Sequence, residues 1–170
     1  MTINNKIINK AQKIKLIATD IDGVWTDAKM YYSKEGVFMK SFSTYDGMAA
    51  SVLLKHNFII VMITSEYENI DILKSRAKKL KIEEVYYNEH NKLSRIKYLS
   101  QKYNISLDNI SYIGDDLNDL EVLKIVGLSA MPPQSPIIDI FTPDIITENK
   151  GGEGAFRNLA DIILKAQNIL

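Results

Sequence analysis

The chain has 170 residues, enough for one domain with a full hydrophobic core. Its 21 basic and 21 acidic residues cancel, which leaves no net electrostatic footprint for nucleic acid or an anionic membrane. The lack of cysteine excludes disulfides, thiolate metal sites and cysteine nucleophiles. Met1 to Lys13 is polar apart from Ile7-Ile8, so neither a secretory leader nor a membrane span is expected, and a cytoplasmic location is.

Strand-like and helix-like stretches alternate, the order of an α/β fold whose parallel sheet is covered on both faces. Residues 1–13 read as an N-terminal extension to a single domain, and Lys15 to Thr19 predicts the first strand. Met30-Tyr31-Tyr32 and Val37-Phe38-Met39 flank Ser33-Lys34-Glu35-Gly36, which predicts a hairpin within residues 28–42. Asp46 reads as the N-cap of a helix through Lys55, ended by His56-Asn57. Phe58 to Ile63 is continuously apolar, as a central parallel strand requires.

A helix ending near Leu80 has a basic last turn that suits its dipole. A short strand at Val85-Tyr86-Tyr87 and a helix from about Lys92 to Tyr103 come next. Asn109 to Ile113 predicts another strand, and Leu117 to Val126 a helix. Leu128 to Met131 predicts a buried strand, stopped by Pro132-Pro133. Asp144 to Thr147 predicts an edge strand, and Ala155 to Leu170 a closing helix.

Three polar clusters follow strand-like runs: Asp20 with Asp22, Thr64-Ser65-Glu66, and Gly114-Asp115-Asp116-Leu117-Asn118-Asp119. A doubly wound sheet binds ligands outside the carboxyl ends of its strands, so these clusters share one edge, with Lys92 on the same side. Oxygen donors of this kind suit Mg²⁺, which keeps waters and a substrate phosphate as its other ligands. An Asp can attack phosphorus, and a second can protonate the leaving alkoxide and then deprotonate water. The Thr64 hydroxyl and Lys92 ammonium would meet the phosphoryl oxygens. Each residue also has a plainer reading. Asp20 and Asp22 suit a turn, Asp115, Asp116 and Asp119 suit a helix start, Thr64 suits a cap and Lys92 a solvated surface. His56 and His90 read as surface residues.

Taken in order, Asp20-x-Asp22-Gly23-Val24-x-Thr26, Thr64, Lys92 and Gly114-Asp115-Asp116-x-x-Asp119 resemble the four motifs of the haloacid dehalogenase superfamily of phosphatases. The resemblance implies a Rossmann-like three-layer parallel sheet. It implies Asp20 as nucleophile, Asp22 as acid and base, and Asp20, Asp22 and Asp115 at a Mg²⁺ ion. Thr64, Ser65 and Lys92 would bind phosphate, with Asp116 and Asp119 in support.

Only 41 residues separate Asp22 from Thr64, which resembles the group without a cap domain. Asp22-Gly23-Val24-Trp25-Thr26-Asp27, Asp46-Gly47 and Gly151-Gly152-Glu153-Gly154-Ala155-Phe156-Arg157 are similar to the pattern of 3-deoxy-D-manno-octulosonate 8-phosphate phosphatases and their nine-carbon relatives. This implies a small-molecule sugar-acid phosphate as substrate, contacted by Asp46, Glu66, Arg76 and Arg157. It also implies a homotetramer, with the hairpin in the interface and the glycine-rich segment 148–157 reaching a neighbour's site.

Glu66 resembles the nine-carbon enzymes. Ser65 and Ala28 stand where glycine is usual, Asn158 stands where Glu is usual, and the stretch from Glu66 to Arg76 is about two residues long for the pattern. Two other readings compete. One is a catalytically degenerate oligomerisation module associated with an acylneuraminate cytidylyltransferase. The other is a phospho-receiver domain, against which the strand ending in Thr64, with no Asp, counts.

Overall fold

The computed structural model describes residues 4–68 and 70–170. Helix α1 (Asn5–Ala11) leads into strand β1 (Leu16–Thr19), and a hairpin of β2 (Tyr31–Ser33) and β3 (Gly36–Met39) follows. Next come α2 (Thr44–Lys55), β4 (Ile59–Ile63), α3 (Asp71–Leu80), β5 (Glu84–Tyr86), α4 (Lys92–Lys102) and β6 (Ile110–Ile113). The chain closes with α5 (Leu120–Leu123), β7 (Leu128–Met131), β8 (Ile145–Ile146) and α6 (Ala155–Ala166).

Six strands form one parallel sheet in the order β5-β4-β1-β6-β7-β8. The chain works outward from β1 first on one side and then on the other, so the strand order reverses between β1 and β6. That switch point is where a ligand crevice opens beyond the strand ends. Side-chain alternation along each strand sorts the core into two halves. Ile17, Ile60 and Met62 pack under α1, α2, α3 and α6, whereas Leu16, Ala18, Val61 and Ile63 pack under α4 and α5. The expected three-layer α/β fold is the observed one. Between β1 and β4 there is room only for the hairpin and α2, and the described residues form no cap domain.

Four details differ from the sequence-based expectation. Part of the N-terminal extension is helix α1, capped by the Asn4 side chain on the Ile7 amide, with Ile7 and Ala11 buried. Residues 1–3 lie outside the described residues. Helix α2 is capped by Ser43 rather than Asp46, which sits fully buried in the first turn. The helix predicted from Leu117 opens as a 3₁₀ turn (Leu117–Asp119) before α5, because Asp116 and Asp119 cap each other's backbone. Helix α6 stops at Ala166, after which the Gln167 amide donates to the Ala11 and Ile14 carbonyls.

The loop after β1 is wound tightly, with the Val24, Trp25 and Thr26 amides all donating to the Ile21 carbonyl. Trp25 is fully buried, donates from Nε1 to Thr19 Oγ1 at 3.1 Å, and meets the Phe156 ring at a centroid distance of 4.4 Å. This contact joins the loop to α6. Phe156→Ala is expected to cost about 3–5 kcal/mol and to lower Tm on the order of 10 °C. Trp25 is the sole tryptophan, so its fluorescence reports directly on the loosened loop in the same melt.

Candidate active site

Strand ends position the polar side chains. Asp20 follows β1, Thr64 follows β4 and Asp115 lies two residues past β6, all at the carboxyl edge beside the switch point. The Asp20 amide donates to the Ile113 carbonyl at 2.9 Å, which ties the first of these loops to β6. Gly23 is required here because its backbone has φ +89° and an added Cβ would lie 1.9 Å from Asp115 Oδ2. Two loops thus approach more closely than any side chain at this position would allow.

Lys92 opens α4 and is almost fully buried. Its Nζ lies 2.8 Å from Asp20 Oδ1 and 2.7 Å from Asp119 Oδ1. Burial opposes the charged form of Lys92, yet the two carboxylates outweigh it and raise its pKa. Asp119 is saturated. Oδ1 also accepts from the Tyr112 hydroxyl at 2.5 Å, and Oδ2 accepts from the Asp115 and Asp116 amides.

Asp20, Asp115 and Asp119 each bring one oxygen within 4.8 Å of the others. Burial raises the Asp20 carboxyl pKa, with the Asp119 charge adding to it against the pull of Lys92. Asp115 is raised by burial and then by the charges of Asp20, Asp119 and Asp116. Three buried carboxylates share one ammonium, a charge deficit that a hard divalent cation fits. Asp119 is committed to its four donors, so Asp20 and Asp115 are the side chains placed to hold such an ion.

Asp22 does not join that cluster as expected. Its Oδ2 is 2.6 Å from Lys40 Nζ, and its Oδ1 accepts from the Thr26 hydroxyl at 3.1 Å. Thr64 is buried, with its Oγ1 accepting from the Glu66 amide. Asp116 is an exposed cap whose Oδ1 takes the Leu117 amide.

A cavity of about 640 Å³ opens above these residues, in the size range of small-molecule sites. Asp20, Asp22, Thr64 and Asp115 form part of its wall. Ser65, Glu66, Asp116, His90 and the hairpin residues Ala28 and Met30 continue it. Ala28 has φ 61°, the left-handed backbone that glycine adopts freely. Glu66 faces Lys40 at 3.5 Å, while its other oxygen accepts from the Tyr67 and Glu68 amides.

Asp46, Arg76 and Arg157 are not brought into the cavity. Asp46 Oδ1 instead accepts from the Arg157 amide at 2.8 Å and serves α6 as a cap from another helix. The Arg76 guanidinium donates to the Ser43 carbonyl and lies over the Phe42 ring, and Arg157 pairs with Asp161. The glycine-rich segment lies against this chain's own loop after β1. Gly151 needs its missing side chain, since an added Cβ would sit 1.9 Å from the Gly23 carbonyl oxygen. Gln134 bridges the same pair, donating to the Gly23 carbonyl and accepting from the Gly151 amide.

Sequence reasoning missed Lys40, Tyr112, Gln134 and Ser135; His90 is exposed, as expected, and borders the cavity. Ser135 Oγ donates to the Asp115 carbonyl at 2.5 Å. Only Tyr112 had a usable signal, as an inward residue one place before the end of a strand.

Residues 5–154 match the haloacid dehalogenase-like hydrolase family. The chain belongs to that family. It is 32% identical over 168 residues to the 3-deoxy-D-manno-octulosonate 8-phosphate phosphatase KdsC of Salmonella typhi, covering 99% of this chain and 88% of the relative. The crystal structure of the corresponding phosphatase from Yersinia pestis is similar with TM-score 0.92 and 31% identity, over 98% of this chain and 89% of that one. The Moraxella catarrhalis enzyme, solved with magnesium, phosphate and the KDO molecule, matches with TM-score 0.91 and 35% identity, over 96% and 93% of the two chains.

Asp46 offers a pH test separate from the chemistry. Burial raises its carboxyl to about 6, against the lowering pull of the Arg157 amide and the Arg76 charge. The native pKa lies above the ordinary 3.8, so the native state holds the extra proton between the two values. The stability linked to that proton is complete below about pH 4 and is lost as the pH rises through about 6. Asp46→Asn keeps an oxygen for the Arg157 amide but cannot ionise. Thermal melts should place the variant level with wild type near pH 4 and above it at pH 7.5. A variant less stable than wild type at pH 7.5 would mean that the charge contributes more to α6 than its burial costs.

Proposed function

We propose that this chain is a Mg²⁺-dependent phosphatase acting on the phosphate monoester of a keto-deoxy sugar acid. The observation that carries this reading is the buried Asp20–Lys92–Asp119 bridge behind Asp20 and Asp115, which themselves line a cavity large enough for such a substrate. Asp20 and Asp115 would hold the ion, which supplies positive charge against the phosphoryl oxygens.

Asp20 attacks phosphorus, the bond from phosphorus to the sugar oxygen breaks, and the proton on Asp22 passes to that oxygen. Water then attacks the aspartyl-phosphate, its proton goes to Asp22, and the bond from phosphorus to Asp20 breaks. Lys92 and the Thr64 and Ser65 groups neutralise and orient the phosphoryl oxygens, and Asp119 holds Lys92 in place.

Relatives named for the eight-carbon 8-phosphate support that ester as the first substrate to test. Glu66 was expected to favour a nine-carbon acid by binding sugar hydroxyls. Its oxygens are engaged by two backbone amides and face Lys40, which weakens that expectation. The nine-carbon 9-phosphate therefore comes second. The degenerate-module reading finds no support in the intact Asp20, Asp22, Lys92 and Asp115.

No described helix is long and apolar enough to cross a membrane. A cytoplasmic homotetramer belongs to the same proposal. Tyr31, Tyr32, Phe38 and Met39 on the hairpin are exposed beside the open cavity, where a second copy would cover them. Arg76 and Arg157 stand as substrate contacts only in that assembled form, whereas Asp46, fully buried as a cap of α6, stays out of reach of substrate in either form.

Phosphate release from the eight- and nine-carbon esters should require Mg²⁺, stop on chelation, and fall at least about 10³-fold in Asp20→Asn. Equal release by Asp20→Asn, or no release from any ester by wild type, overturns the phosphatase reading. Light scattering should report four chains per particle, and a monomer would remove the tetramer and leave the cavity uncovered.

A further inference from the structure

Lys40 lies one residue beyond β3, outside all four motifs, yet among the described residues it is the one cation paired with Asp22. Its side chain is only 2% exposed, and its Nζ sits 2.6 Å from Asp22 Oδ2 and 3.5 Å from Glu66 Oε2. Thr26 engages the other oxygen of Asp22, so the carboxylate is gripped at both ends. Desolvating an ammonium is expensive unless a nearby carboxylate compensates it, and Glu66 does so here even while Asp22 holds a proton. Together these contacts hold the Asp22 carboxyl at the cavity wall, outside the close group formed by the Asp20, Asp115 and Asp119 oxygens.

We propose that Lys40 is a positioning residue that holds Asp22 in place as proton donor to the leaving oxygen. This rests on the phosphatase reading above. As Asp20 bonds to phosphorus, the bond from phosphorus to the leaving oxygen breaks and the Asp22 proton passes to that oxygen. Without Lys40, Asp22 keeps only its Thr26 contact and is free to turn toward the cation side of the site. Misplacement on the order of 1 Å can cost about 100-fold in rate. The hairpin, which supplies no reacting group, would then set the geometry of the acid.

Leaving-group chemistry separates this role from a merely structural one. A sugar alkoxide needs a proton to depart, whereas p-nitrophenolate departs without one. Single-turnover rates with excess Mg²⁺ should be measured for the eight-carbon sugar-acid phosphate and for p-nitrophenyl phosphate. Lys40→Met should slow alcohol release about 10- to 100-fold and p-nitrophenolate release less than about 3-fold. Lys40→Arg should recover most of the alcohol rate. A crystal structure of Lys40→Met should show the Asp22 carboxylate turned from its present position.

Equal losses on the two esters, no loss on either, or an unmoved Asp22 overturns the proposal. If Lys40→Met does not fold, Lys40→Gln, which keeps a donor and drops the charge, takes its place in the same comparison. A wild type inert toward both esters overturns instead the phosphatase reading on which the proposal rests.

Discussion

A single buried ammonium, that of Lys92, sets the charge balance on which the site depends. Asp20, Asp115 and Asp119 are all withdrawn from water, and carboxylates so close resist joint ionisation. Lys92 neutralises one charge while touching two of the three. The Tyr112 hydroxyl and two backbone amides stabilise Asp119 further, so the remaining imbalance falls on Asp20 and Asp115. A divalent cation held by Asp20 and Asp115 would correct that imbalance and present its charge to a phosphate dianion on the cavity side. The electrostatic demand of the folded chain and that of the proposed reaction are therefore the same demand.

Holding such a cluster requires backbone placed more closely than side chains normally permit. Gly23 passes under Asp115, and Gly151 passes under Gly23. Gln134 fastens the last pair, and Ser135 fastens the Asp115 carbonyl. The C-terminal segment thus braces the loop that carries Asp20 and Asp22. Phe156 against Trp25 and Asp46 on the Arg157 amide anchor that brace to the core. Segments far from the chemistry in sequence are in this way one or two contacts from it.

What could be read from the sequence follows from how local each signal is. Asp20, Thr64 and Asp115 were legible because each closes or follows an apolar strand, and strand ends in a parallel sheet converge. The sheet itself was legible from the same runs. Asp46 was misread because Ser43 and Asp46 both suit an N-cap, and only the position of α6 decides which is free for other work. Helix α1 was missed because two buried residues in two turns leave too little periodicity to detect. Lys40 had no signal at all, since a lysine between Met39 and Ser41 reads as solvated until folding sets it against Asp22 and Glu66.

The hairpin links these observations. In a chain with no cap domain, some other element has to close the cavity and shape the leaving-group side. Ala28 and Met30 line the cavity, and Ala28 holds a left-handed backbone at the point where the chain leaves the catalytic loop for the hairpin. Lys40 stands where the chain returns, with its charge buried on Asp22. Both feet of the hairpin therefore touch the site, while its outer aromatic residues face solvent. An element gripped at its base and apolar along its exposed strands can pass the docking of a second copy to Asp22. Assembly and acid placement would then be two consequences of one short insertion.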